Sequence, residues 1–215
     1  MELLSVNVSQ AVDIEYNGKR VSSSIFKKPV SGKVAVAEFN LAGDKQVDLE
    51  NHGGGHKAVY AFSADEYDYW AQTLNRDDLH FGQFGENLTI SNLDEAQLCI
   101  GDHLQVGSCI LEISQPRVPC FKLGIAFDLS TMPKQFVQHA ATGIYFKVVQ
   151  AGELATGDTV ELVYSHPQKL PVQTLFRAYF DSTVSNAKEI MLLAESIDAL
   201  SDEWRKKVVK KLNLL

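Results

Sequence analysis

The segment Ser114-Gln115-Pro116-Arg117-Val118-Pro119-Cys120-Phe121-Lys122-Leu123 places one thiol between two cations. Pro116 and Pro119 hold the chain extended ahead of the sulfur, because the residue before a proline is pushed out of the helical region. Arg117 and Lys122 bring positive charge to both sides of Cys120. Neighbouring cations favour the thiolate, the form that attacks electrophiles or ligates soft metals. A cysteine can instead be a small buried hydrophobe. The prolines and cations favour a working sulfur at Cys120. Cys99, Cys109 and Cys120 lie 10 and 11 positions apart with no C-x-x-C pair. That spacing argues against a structural zinc site or a disulfide framework and fits reduced cytosolic thiols.

A second segment, Asp48-Leu49-Glu50-Asn51-His52-Gly53-Gly54-Gly55-His56-Lys57, joins three glycines to two imidazoles and an ammonium. Consecutive glycines let backbone N–H groups approach an anion closely. His52 and His56 have helical metal-pair spacing, but three glycines disfavour a helix. Contact of one histidine with a ligand is the better reading, beside a plain packing role. The segment is not a Walker A loop, since Ala58 stands where Ser or Thr is required. Gly82-Gln83-Phe84-Gly85-Glu86-Asn87 is a tight loop whose Glu86 and Asn87 could read a ligand, with a purely structural turn favoured. There is no G-x-G-x-x-G, G-x-S-x-G or H-E-x-x-H motif, which disfavours a Rossmann dehydrogenase, an α/β-hydrolase and a zincin.

The elements that must carry these residues read as strands first and helices last. The chain has 215 residues, 45% hydrophobic and 22% charged, enough for a sizeable core. Its net charge of −7 speaks against a nucleic acid polymer as partner. Between Tyr16 and Ala37 there is no acid, but there are Lys19, Arg20, Lys27, Lys28 and Lys33, either an anion-facing patch or a solvated hairpin. No apolar run is long enough to span a bilayer, and the start lacks the marks of a secretion signal, so a cytoplasmic location is expected.

Asn17-Gly18 predicts a hairpin turn between Ile14–Tyr16 and Lys19–Val21. Residues 4–8, 34–39, 58–62, 103–106, 109–113, 143–149 and 159–163 read as further strands. Ser63-Ala64-Asp65-Glu66 has capping-box spacing for a helix to Leu74. Short helices are expected at 120–127 and 133–140. After a proline-bearing linker, helices are expected at 172–180, 185–194 and 201–212, the last with Trp204, Val208 and Leu212 on one face. Its lysines read as a solvated, dipole-matched end rather than a docking face for an acidic partner.

Cysteine segment, glycine–histidine loop and their order together resemble the MOSC family, and within it the bacterial YiiM-type subgroup. The residues that carry the resemblance are Gly43 to Asp48 leading into His52 to Tyr60, Gly82 to Asn87, Ile100-Gly101-Asp102, Ser114 to Arg117 with Pro119-Cys120, Thr142-Gly143, and Gly152 to Asp158. The resemblance implies a mainly β fold with α, a β-barrel-like domain over 1–165 and a small three-helix domain over 166–215. It implies the molybdenum cofactor, a pterin with a dithiolene and a phosphate, with Cys120 as protein ligand to the metal. It implies reduction of N-hydroxylated compounds, such as hydroxylaminopurines, to amines. Residue type and neighbourhood then nominate Arg117, Lys122, Lys33, Lys57, Gly53, Gly54 and Gly55 for the cofactor phosphate, with Lys27 and Lys28 next. His56 or Asn87 is expected at polar edges of the pterin, or His56 as proton donor to the departing oxygen.

No flavin, haem or iron–sulfur motif is visible, so a separate electron-donor protein is expected beside the small-molecule substrate. A homodimer stays open. A different reading is a carrier that holds sulfur or cofactor without turnover. A third, a metal-free cysteine nucleophile with His56 or His139, lacks a nameable orienting residue.

Overall fold

The computed structural model describes residues 1–47 and 54–214. The strands are β1 (Glu2–Val8), β2 (Val12–Tyr16), β3 (Lys19–Ser23), β4 (Lys28–Val30), β5 (Val34–Val36), β6 (Val59–Ser63), β7 (Leu88–Ser91), β8 (His103–Val106), β9 (Cys109–Pro116), β10 (Ile144–Gln150), β11 (Gly152–Leu154) and β12 (Val160–Tyr164). The helices are α1 (Glu66–Leu74), α2 (Phe121–Ala126), α3 (Met132–His139), α4 (Val172–Phe180), α5 (Ala187–Glu195) and α6 (Asp202–Leu212). A 3-10 turn spans Gly55–Lys57. No helix among the described residues is long and apolar enough to cross a membrane.

Eight strands form one sheet in the order β12-β8-β9-β10-β6-β7-β1-β4, with β2-β3 and β5-β11 as separate pairs. All pairings in the large sheet are antiparallel except β6 with β7. The fold is therefore mixed α and β, and among the described residues the ladder runs from β12 at one end to β4 at the other. Leu3 N–H donates to Asp158 O at 2.9 Å and Val160 N–H to Met1 O at 3.0 Å, and a bridge joins Glu2 to Thr159. The start of β1 thus meets the Gly157-Asp158 turn and the first residue of β12 through these few bonds. The turn needs Gly157, whose φ is 93°.

Two expectations about local structure fare differently. Asn17 and Gly18 take φ of 51° and 71°, as a primed hairpin turn demands. The capping box at Ser63 does not form. Ser63 is instead the last residue of β6, and Glu66 turns away to pair with His139. Tertiary partners outbid the local cap.

The main apolar cluster runs from Leu3, Val6, Ile113 and Phe146 in the sheet to Leu170, Leu175, Phe176, Trp204 and Val208 in the last helices. Burial does not stop at residue 165. The proline-bearing connection is stitched to the sheet side as well: Ile100 N–H donates to Leu170 O at 2.9 Å and His166 N–H to Asp102 Oδ1 at 2.7 Å. A second cluster of Phe62, Trp70, Phe84 and Phe136 packs under α1 to α3.

Candidate functional site

Strand β9 ends at Pro116, and the chain then leaves the sheet toward α2. Arg117 N–H donates to Gly143 O at 3.1 Å, which fixes the exit beside the start of β10. Cys120 is extended, with φ −125° and ψ 177°, and caps α2. Its carbonyl accepts from Leu123 N–H at 3.0 Å. Cys120 is half-buried, whereas Cys99 and Cys109 are buried. Burial pushes the Cys109 thiol up to about 11, with help from Asp158 and Glu153. Among the three sulfurs, Cys120 is the accessible one.

Cys120 opens on a cleft lined also by Arg117, Lys122, Lys57, Lys27, Lys45, Asp44, Asn87, Tyr60 and Tyr145. Tyr60 on β6 and Tyr145 on β10 are register partners, with ring centroids 5.1 Å apart. The Arg117 guanidinium lies over Tyr60 at 4.8 Å and over Phe136 at 5.3 Å, in cation–π range. Tyr60 OH accepts from Arg117 at 3.4 Å and donates to Thr142 O at 2.8 Å. Arg117 is 6% exposed, and no carboxylate among the described residues pairs with it. Held among the described residues by rings and the phenols of Tyr60 and Tyr145, this buried guanidinium retains donors for an anion. Lys122, on the first turn of α2, is also buried.

The other residues nominated from sequence fall into distinct places. Lys57 lines the cleft and ion-pairs with Glu203 from α6. Lys27 lines it too, but its ammonium is bound to Asp44 at 2.5 and 2.6 Å. Asp44 also accepts from Ser9 N–H at 2.8 Å and from Asn87 Nδ2 at 3.0 Å. Asn87 Oδ1 in turn accepts from Tyr60 N–H at 3.1 Å. The Asn87 amide lines the cleft with both its oxygen and its nitrogen engaged in framework bonds.

Lys33 stands outside the cleft on an exposed loop, 3.6 Å from Glu153, which corrects its nomination. Lys28 is exposed on β4 and does not line the cleft. The acid-free stretch from Tyr16 to Ala37 is thus partly neutralised from outside: Arg20 pairs with Asp13, Lys27 with Asp44, Lys33 with Glu153.

His56 sits in the 3-10 turn, next to the cleft-lining Lys57. Its carbonyl accepts from Ser114 Oγ, and its Nδ1 is buried with no hydrogen-bond partner among the described residues. Gly54 donates its N–H to Gln46 Oε1 at 3.3 Å, and Gly55 begins the 3-10 turn; neither lines the cleft. Gly53 and His52 lie outside the described residues.

The loop at Gly82 is held by framework contacts, and its Gly85 and Asn87 also line the cleft. A Cβ on Gly82 would stand 2.6 Å from Lys27 O, so only glycine lets residues 25–27 pack there. Glu86 is buried and accepts from Tyr67 OH and from Gly82 N–H at 2.7 Å. Burial pushes its carboxyl up, against those two bonds.

Three contributors escaped sequence reasoning. Tyr60 and Tyr145 looked like ordinary strand residues. Glu203 lies far along the chain among solvated helix charges, and nothing local marks it as a cleft partner.

The family model described as MOSC domain matches residues 48–161. The uncharacterized protein YflK of Bacillus subtilis is 37% identical over 214 residues, 99% of this chain and 95% of that one. A protein named Reductase from Gibberella moniliformis is 33% identical over 167 residues, 75% of this chain; the chain spans just 30% of that protein's length. The crystal structure of YiiM from Geobacillus stearothermophilus superposes with a TM-score of 0.82 at 30% identity, covering 98% of both chains.

Proposed function

This chain belongs to the MOSC domain family, and from that premise we propose that it is a molybdenum-cofactor-dependent reductase of N-hydroxylated compounds, hydroxylaminopurines among them. The observation that carries the reading is a half-buried thiol, Cys120, beside a buried guanidinium, Arg117, that has no carboxylate partner among the described residues. This donor set fits the group. A soft thiolate suits molybdenum. Arg117, with Lys122 and Lys57, suits the phosphate of the pterin.

Cys120 would ligate the metal, and Arg117, Lys122 and Lys57 would hold the anionic end. Bound, the cofactor supplies a metal that accepts an oxygen atom and changes oxidation state. The chain's own part is electrostatic and positional. Tyr60 orients Arg117, the two prolines fix the loop, and Lys27 is kept occupied by Asp44. The fungal relative's name supports reductive chemistry. Electrons would come from a separate donor protein, with the cytoplasm as the place of work.

The test is expression in a cofactor-competent host, with molybdenum and pterin measured per chain. N-hydroxyadenine reduction is then followed with an artificial reductant. Cys120→Ala is expected to lose bound metal and to slow turnover more than about 100-fold. Full activity in Cys120→Ala overturns the assignment. Retained molybdenum without turnover in the wild type returns the protein to a carrier role.

A further inference from the structure

The first turn of α6 lies against both segments that build the cleft. Ser201 N–H donates to Ser114 O at 3.1 Å, and the Trp204 indole N–H donates to Pro116 O at 3.0 Å. Ser114 and Pro116 belong to the stretch that leads to Arg117 and Cys120. Between these two anchors in sequence, Glu203 ion-pairs with Lys57 beside the 3-10 turn. The Lys57 side chain is 9% exposed and that of Glu203 39%. The cation thus sits inside the wall and the carboxylate at the rim. Lys207, one turn on, also reaches Glu203, at 3.4 Å.

A buried ammonium requires a counter-charge. Glu203 gives Lys57 one from the chain itself. An oxyanion entering the cleft offers another, and two anions near one ammonium repel each other. We propose that Glu203 is a built-in competitor for Lys57, which an oxyanion ligand such as a phosphate must displace or share, so that the C-terminal helices sense occupancy of the cleft. This inference rests on reading the cleft as an anion site. Tyr145 supports the electrostatic reach. Burial pushes its phenol up, Arg117 opposes, and the charges of Cys120 and Glu203 both push it further. One phenol in the cleft therefore feels both the thiol and the α6 carboxylate.

The test titrates inorganic pyrophosphate into the full chain, purified free of cofactor, by calorimetry at pH 7. Glu203→Gln is expected to tighten binding about 3- to 10-fold, and Lys57→Gln to weaken it by a similar factor. Glu203→Asp, which keeps the charge, is expected to stay near wild type. A purely structural ion pair would lower Tm in both neutral variants without tightening binding in Glu203→Gln. Unchanged or weaker binding in Glu203→Gln overturns the proposal, as does a wild type that binds no pyrophosphate. Molybdenum content is read separately. A chain that behaves as stated but never holds metal fails the cofactor assignment alone. A metal-loaded chain whose Glu203→Gln variant binds pyrophosphate like wild type fails this inference alone.

Discussion

Lys27 and Lys57 line one cleft, and each is paired with a carboxylate, yet the two pairs are built to different ends. Lys27 and Asp44 are 8% and 3% exposed, and Asp44 is held further by Ser9 and Asn87. Lys57 is buried to the same degree, but its partner Glu203 is 39% exposed and arrives from the last helix. The first pair is closed on both sides and can give nothing to a ligand without leaving a bare charge inside. The second has its carboxylate partly in water, so Glu203 can give up its place beside the lysine to another anion at small cost to itself. The positive charges around Cys120 are therefore not interchangeable: Lys27 is locked to a buried carboxylate, while Lys57 is paired with an exposed one and Arg117 with none among the described residues.

The sharpest break in this comparison comes from removing the closed lysine. Lys27→Met leaves Asp44 buried without its cation, and a loss of about 3–5 kcal/mol is expected in urea unfolding. Adding Asp44→Asn should recover much of it. If the single variant is as stable as wild type, the two lysines are equivalent and the distinction fails.

Next in size is a buried acid with no lysine at all. Glu95 accepts from Gly143 N–H at 2.6 Å and Thr142 N–H at 3.2 Å, and burial pushes its carboxyl up to about 8 despite them. Its folded pKa is raised, so its contribution is full below the unfolded value near 4.5 and is lost as pH rises through 8. Tm should fall across that window, and Glu95→Gln should flatten the fall. An equally steep decline in the variant would show that N–H donors alone suffice for a buried carboxylate here.

The smallest stability effect belongs to the open pair. Lys57→Met should cost less than about 1 kcal/mol, because Glu203 returns to water. A loss as large as that of Lys27→Met would erase the contrast from the other side.

These differences bear on what the residues disclosed in advance. The hairpin at Asn17-Gly18, the three late helices and the accessible cysteine are written in local pattern: turn chemistry, a 3.6-residue period, prolines ahead of a sulfur. Strands β4, β7 and β11 were missed; they are 3, 4 and 3 residues long, too short for alternation to declare them. The capping box failed because Glu66 found His139 across the fold. Arg117 was nominated on charge alone; its worth comes from two rings brought under it by β6 and α3, which no local spacing encodes. Lys33 and Asn87 were nominated by residue type and neighbourhood; Glu153 meets Lys33 beside the β5–β11 pairing, and Asp44 reaches Asn87 from a loop.

The indole bond from Trp204 to Pro116 spans 88 positions. During synthesis the cysteine segment emerges long before the helix that fastens it. At roughly 5–20 residues per second, that wait is about 4 to 18 seconds. Throughout it the thiol segment exists without its rear support, and Lys57 without Glu203. A chain cut short before α6 would carry the sulfur without Trp204 behind it and Lys57 without Glu203.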